Sequence, residues 1–346
     1  IANNINFRNI IINGDMSIAQ RSTSETGITT SQYVLDRFKF ELETSGTWTI
    51  SQSTDVPSGE GFVNSFKADC TVADSSLSAG DAILLTHKIE GQNVQYLNYG
   101  SSSAKKLTLS FWVKSAKTGT YIAELDQHGN SKDYSQSYTI NTADTWEKKI
   151  LTFDGDTSTS LANNNSEQLE VTFWLAAGSN FSSGTLNTAW NTTTNANRAV
   201  GQVNLADSTD NDWYITGVQL EAGEVASDFE FLPKDINEQR CFRYFYAFPT
   251  SGNRGIYGMI DDSGNCQYQG TFPVVMRANP TLPTLSGTFT FRGQFRNGNK
   301  SSTSSHSYGY NSNRSVIYGG AGYGGSPVRE FGSGSGGTNM TADSEL

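Results

Sequence analysis

The sequence predicts an all-β protein, an antiparallel β-sandwich or barrel followed by a smaller β-rich domain. Three observations predict it. Charged residues are only 17% and hydrophobic ones 36% of the 346 residues, while Gly alone contributes 34 positions and Ser, Thr and Asn are abundant. Polar uncharged residues mixed with many aromatics suit short strands and long loops better than a helical bundle. Apolar and polar residues alternate with period two in several segments, and turn-rich stretches recur between them, which favours antiparallel connections over βαβ units.

Taken in order, Leu107, Leu109, Phe111 and Val113 alternate with Thr108, Ser110, Trp112 and Lys114, a strand with one buried face. Gly119 turns the chain into Tyr121–Leu125, where Tyr121, Ala123 and Leu125 repeat the pattern. Leu169, Val171, Phe173 and Leu175 do so again, with Trp174 on the opposite face. Tyr214, Thr216, Val218 and Leu220 form one more such set, answered by Trp213, Ile215 and Gly217.

A compositional break falls near Pro233, since all six tryptophans precede it. Residues 237–346 hold nine Lys and Arg against six Asp and Glu, a net of +3, which leaves −13 for residues 1–236. Such charge asymmetry is a domain signal. The expected organisation is a sandwich over 1–232, a helical linker over 233–240 and a tip domain over 241–346. Asp235 and Glu238 have the spacing of a capping box, with Asp235 as N-cap. Cys241–Phe248 reads as an aromatic strand with Phe242, Tyr244, Tyr246 and Phe248 on one face. Further strands are expected around 256–260, 266–275 and 288–295. From Ser301 to Gly337 the Ser/Gly/Tyr-rich composition reads as long loops or disorder in a monomer, or as closely approaching backbones in an interlocked oligomer.

Several segments resemble a domain pair of tailed-bacteriophage tail-fibre and receptor-binding proteins. They are Asn9-Ile-Ile-Ile-Asn-Gly-Asp-Met16 with Ala19-Gln-Arg21 and Tyr33–Phe38, Leu109–Lys114 with Gly119-Thr-Tyr121, and Trp213–Gly223 with Asp228-Phe-Glu230. Farther on they are Cys241–Tyr246, Phe272–Thr281 and Ala342–Leu346. The resemblance implies a carbohydrate-binding-module-like jelly roll followed by a C-terminal tip domain. It also implies a place on the virion exterior (tail or capsid surface), a homotrimer, contacts with other virion proteins and recognition of a host cell-surface glycan. It implies no catalytic centre. Fibres of this kind carry an anchoring domain and a heptad shaft for which nothing before residue 9 is a counterpart. The chain is therefore expected to be a piece of a longer fibre or to attach through its own sandwich.

Composition excludes other classes. A net charge of −10 disfavours sequence-independent nucleic-acid binding, which needs a basic stripe. No apolar run approaches the ~20 residues that span a bilayer, so membrane insertion is not expected. Three cysteines (Cys70, Cys241, Cys266) and three scattered histidines (His87, His128, His306) form neither a disulfide framework nor a zinc spacing. No G-x-S-x-G elbow, P-loop or Cys/His arrangement is present, and the chain is expected not to be an enzyme. A glycan depolymerase with a site assembled across subunits is the remote alternative, and a structural capsid or tail-associated protein the nearer one.

Candidate ligand-binding residues follow from aromatic placement. Trp112 and Trp174 each lie opposite a strand's apolar set, so both can line one sheet surface and stack on sugar rings, or be covered by a second layer. Trp190 sits in the polar loop 184–194, either as a recognition residue or as a loop anchor. Tyr308, Tyr310, Tyr318 and Tyr323 with Arg314 and Arg329 form a second candidate surface of the kind favoured in adaptable recognition loops. No cofactor is expected. Asp154-Gly-Asp156 and Asp207–Asp212 offer oxygen ligands for a structural Ca2+, though Asp in turns is common without metal.

Overall fold

The computed structural model describes residues 7–43, 45–248, 257–260, 266–282, 289–293, 299–302, 307–320, 330–335 and 341–346. The chain divides into two compact units, 1–237 with Leu346, and 238–345.

The first unit is an antiparallel jelly-roll-like β-sandwich. Its strands begin with β1 (Ser24–Ile28), β2 (Gln32–Tyr33), β3 (Lys39–Glu43), β4 (Thr47–Ser53), β5 (Ser65–Val72) and β6 (Ala82–Glu90). They continue with β7 (Leu107–Ser115), β8 (Gly119–Gln127), β9 (Lys132–Ile140), β10 (Glu147–Phe153), β11 (Glu167–Ala177), β12 (Asn191–Thr192) and β13 (Asp212–Ala222). A one-turn helix, α1 (Ser179–Ser182), follows β11. One sheet has the order β1-β4-β5-β13-β7-β10 and the other β12-β9-β8-β11-β6-β3-β2.

The alternating sets of β7, β8 and β11 supply the core between the sheets. Leu107, Leu109, Phe111, Val113, Tyr121, Leu125, Val171 and Phe173 are all fully buried. Phe111 of one sheet meets Phe173 of the other edge to face at 5.0 Å, and Trp213 lies 6.1 Å from Phe173. Burying each such side chain contributes about 1.5–3 kcal/mol.

Strand β13 departs from the alternation read in its sequence. Trp213 and Ile215 face the core, as do Val218 and Leu220, whereas Tyr214 and Thr216 face outward. The register against β7 shifts between Thr216 and Gln219, and Gly217 lies in the left-handed region at φ +62°. One extra residue in a bulge reverses which parity points inward, so a single period cannot describe this strand. On the other edge of β13, where the pairing with β5 ends at Ile215, the segment 9–14 takes over. Ile10 N donates to Leu220 O, Val218 N to Gly14 O, Leu220 N to Asn9 Oδ1, and Asn9 Nδ2 to Val218 O. Contact is so close that a Cβ on Gly14 would fall 2.1 Å from the Val218 carbonyl oxygen. Gly14→Ala is therefore expected to destabilise the sandwich by about 2–3 kcal/mol, read as a lower urea midpoint of tryptophan fluorescence; an unchanged midpoint would refute the contact.

The two units divide inside α2 (Lys234–Phe242). Asp235 is not the N-cap: it lies in the first turn, and Ile236 and Asn237 donate to the Pro233 carbonyl. Proline suits a helix start because its absent N–H would have no partner there, and Asp235 then favours the positive end of the dipole. The helix also takes Cys241 and Phe242 from the expected aromatic strand, which shortens to β14 (Phe245–Ala247).

In the second unit β14 pairs with β22 (Thr341–Asp343). The remaining strands are β15 (Tyr257–Ile260), β16 (Cys266–Thr271), β17 (Phe289–Gly293), β18 (Asn299–Ser302), β19 (Ser307–Asn311), β20 (Ser315–Gly320) and β21 (Glu330–Ser335). They form one antiparallel sheet, ordered β18-β17-β21-β15-β16-β20-β19. Strands thus run through much of the Ser/Gly/Tyr-rich stretch expected as loops, because paired glycine-rich backbone satisfies its own hydrogen bonds without large side chains.

Candidate functional site

The outward face of the six-stranded sheet carries a group of aromatic and charged residues, several of them open to solvent. Registration places Lys67, Tyr214 and Lys114 opposite one another across β5, β13 and β7. Trp146 stands one residue before β10 and continues that row. The next row is Thr216, Trp112 and Lys148 across β13, β7 and β10. Trp112 and Trp146 are partly exposed, whereas Tyr214 is 8% exposed because lysines cap it. The Lys114 ammonium sits 4.2 Å from the Tyr214 ring centre and 5.8 Å from that of Trp146.

Asp55 ties this cluster together. It accepts from Lys114 Nζ and, at 2.9 Å, from Trp146 Nε1, which fixes the indole in one orientation. Partial burial alone would raise its carboxyl, but the hydrogen bonds from Lys114 and Trp146 hold it below the usual carboxylate range. Lys67 pairs with Asp69 at 3.0 Å and Asp212 at 3.5 Å. Burial, with Asp212 beside it, pushes the Tyr214 phenol up to about 12. Toward one end the face is closed, where Phe62, Phe229 and Phe231 pack together with centroids 4.9–5.1 Å apart. Phe62 lies over Gly217, where a Cβ would meet its ring at 2.6 Å. Along β10 the face stays open, with Lys148 exposed and Ile150 53% exposed.

Trp174 is not part of this surface. It belongs to β11 in the other sheet and is fully buried, so Trp112 and Trp174 do not share a face. The segment 178–203 folds over it, packing Phe181, Leu186 and Ala199 around the indole. Beneath that cover lies Glu124, also fully buried, which accepts from Trp174 Nε1 at 3.0 Å and from Arg198 Nη2 at 2.6 Å and Nε at 3.0 Å. Desolvation raises the Glu124 carboxyl against the pull of Arg198. Asp126, 6% exposed, lies opposite Asp133 and Glu170 in register, and burial together with the Glu124 charge pushes its carboxyl up to about 7.

Trp190 is a loop anchor. Its indole N–H donates to Asp154 O at 2.6 Å, and its ring meets Tyr99 and Tyr134 edge to face, each at 5.9 Å. In the second unit Arg314 is exposed, and its carbonyl accepts from Phe272 N at 3.0 Å. Backbone register sets Tyr318 opposite both Tyr308 and Tyr268, while Tyr310 lies opposite Ile317. The side chains of Tyr308, Tyr310 and Tyr318, and the whole of Tyr323 and Arg329, lie outside the described residues.

The Asp-rich turns are occupied by protein partners. Asp207 accepts from Lys117 and Asn211, Asp156 from Lys132 and Ser158, and Asp154 pairs with Lys106. Among the described residues no three His, Cys, Asp or Glu side chains converge to hold a metal ion, and no helix is long and apolar enough to cross a membrane. Sequence reasoning missed Trp146, although its parity relative to Leu151 and Phe153, both buried, places it on the outward face.

No family model matches the chain, and no curated protein matches it. Similar solved structures include the enzymatically active domain of bacteriophage CBA120 tailspike protein 4, at 17% identity and a TM-score of 0.31 over 62% of this chain and 21% of that one. The chain thus spans about a fifth of that tailspike chain's length. A putative sugar-binding protein from Bacteroides thetaiotaomicron is 13% identical, with a TM-score of 0.34 over 62% and 99% of the two chains. A family 11 carbohydrate-binding module from Clostridium thermocellum, solved in complex with a β-1,3-1,4-mixed-linked tetrasaccharide, is 12% identical, with a TM-score of 0.28 over 60% and 99%.

Proposed function

We infer that this chain is a non-enzymatic component of the exterior of a tailed phage, and that its sandwich binds a host surface glycan on the Trp112–Trp146 face. The observation that carries the reading is the pair of partly exposed indoles, Trp112 on β7 and Trp146 just before β10, the second held in place by Asp55. A sugar's apolar face stacks on an aromatic ring, and a ring already fixed loses little freedom on binding. Asp55 stands beside the Trp146 ring to meet hydroxyls. The phage setting rests on the ordered motifs from Asn9 to Leu346 that resemble fibre proteins. A homotrimer, docked on other virion proteins, would multiply several weak sites into useful avidity. The reading as a binder without chemistry is supported by the burial of Glu124 and Asp126, which removes those two carboxyls from any cleft.

Removing both indoles tests it. Each stacking contact contributes about 1 kcal/mol, so Trp112→Ala with Trp146→Ala is expected to weaken glycan binding at least tenfold while the fluorescence of the remaining tryptophans reports an intact core. Undiminished binding would remove the platform. A second reading, a structural virion protein without a glycan ligand, is favoured by one observation, the complete burial of Trp174. It would stand if no glycan on an array is retained by the full chain.

A further inference from the structure

The lysines of the sandwich are almost all engaged. Lys39, Lys67, Lys88, Lys106, Lys114, Lys117, Lys132 and Lys149 each pair with a carboxylate within 4 Å. Lys105 stacks over the Tyr96 ring at 5.4 Å. Lys148 alone, among the described lysines of residues 7–233, makes neither kind of contact. It is exposed, lies directly opposite Trp112 in the β7–β10 register, and shares the outward side of β10 with Trp146 and Ile150. The neighbouring outward groups on β7 are Ser110, Trp112 and Lys114, and the Lys114 charge is already neutralised by Asp55. Within residues 1–236, whose net charge is −13, this is a spot of uncompensated positive charge opposite an aromatic residue.

We propose that Lys148 makes the Trp112–Trp146 platform selective for an acidic glycan, one whose sugar ring stacks on the indole while a uronate carboxylate pairs with the ammonium. This inference rests on the platform reading above. A carboxylate and an aromatic-facing pyranose surface are joined in one uronic acid residue, so a lysine beside a tryptophan can meet both halves of the same sugar. The acidic body of the protein repels a polyanion at long range, and that repulsion is screened within about 8–10 Å at physiological salt. Local pairing at Lys148 therefore decides the preference.

The test uses the full chain in affinity electrophoresis against polygalacturonate, hyaluronate and alginate, each beside its carboxyl-reduced neutral counterpart, with a phosphorylated mannan as the phosphate probe. The expected result is three- to fivefold tighter retention by an acidic polymer than by its reduced form. Lys148→Gln should abolish that preference without weakening the neutral polymer, whereas Trp112→Ala should weaken both. Equal retention of acidic and reduced polymers that still falls in Trp112→Ala would overturn the acidic selectivity and keep the platform. Retention unaffected by Trp112→Ala, or none on any polymer, would overturn the platform and the selectivity with it. Preference for the phosphorylated mannan that is lost in Lys148→Gln would overturn the uronate and assign the lysine to phosphate.

Discussion

Arg198→Met is expected to lower the stability of the sandwich by about 3–5 kcal/mol. The reason is the carboxylate it leaves behind. Glu124 is fully buried on the outward side of β8, beneath the segment 178–203, and Arg198 meets it with two nitrogens at 2.6 and 3.0 Å. Without that fork the Trp174 indole at 3.0 Å and the Ser135 hydroxyl at 3.5 Å remain as donors, neither of them charged. A buried charge stripped of its partner costs far more than the pair contributes when intact. All six tryptophans precede Pro233, so urea unfolding followed by their fluorescence reports on this unit. Adding Glu124→Met to Arg198→Met should recover most of the loss, since both charges are then gone. A single variant within 1 kcal/mol of the parent would mean that the pair does not hold the segment over Trp174.

Asp126→Asn is expected to stabilise the protein at pH 8 and to do little at pH 4.5. Burial, with the nearby Glu124 charge, raises the folded Asp126 carboxyl to about 7, while an unfolded one titrates near 3.9. The folded state then holds the proton more tightly than the unfolded one. Its contribution is complete below the unfolded value and is lost as the pH climbs toward 7, so this residue makes the protein less stable with rising pH. A shift of about three units corresponds to at most about 4 kcal/mol, and 2–4 kcal/mol is the expected gap opened by the amide between the two pH values. Glu147 has the opposite sign, because its folded carboxyl falls to about 2 through hydrogen bonds from Lys149, Thr142 and Asn141 that outweigh partial burial. Its stabilisation fades only as the pH falls below about 4, outside the chosen window. The measurement is the difference in urea midpoint between variant and parent at each pH. A difference that stays flat from pH 4.5 to 8 would show that Asp126 is ionised throughout.

These two effects fall where the sequence was least legible. The core faces of β7, β8 and β11 could be read directly, because Leu107 to Val113, Tyr121 to Leu125 and Leu169 to Leu175 keep strict alternation. The outward faces could not. Glu124, Asp126 and Trp174 alternate correctly with the core, yet nothing local says that a segment more than 20 residues downstream of Trp174 returns with Arg198 to close over them. Trp112 and Trp174 read alike for the same reason, since parity tells which side of a strand a residue takes but not which sheet the strand joins. Within the six-stranded sheet the Asp55 contact to Lys114 and Trp146 spans 59 and 91 residues, and such pairings follow from register, which a single sequence does not encode locally. In the second unit, glycine-rich segments looked unstructured because strand propensity resides in side chains, whereas β19 to β21 are held by backbone pairing.

The bulge at Gly217 divides β13 into two half-strands that obey opposite codes. Before it, odd-numbered positions tolerate only apolar residues and even-numbered ones are free to be polar; after it the rule inverts, with Val218 and Leu220 inward and Gln219 and Glu221 outward. Gly217 therefore acts as a phase shift in the strand's reading frame. Excising it would merge the two codes into one: Val218 would follow Thr216 directly and still point inward, so the glycine is the residue that lets the strand carry one position more than β7 opposes.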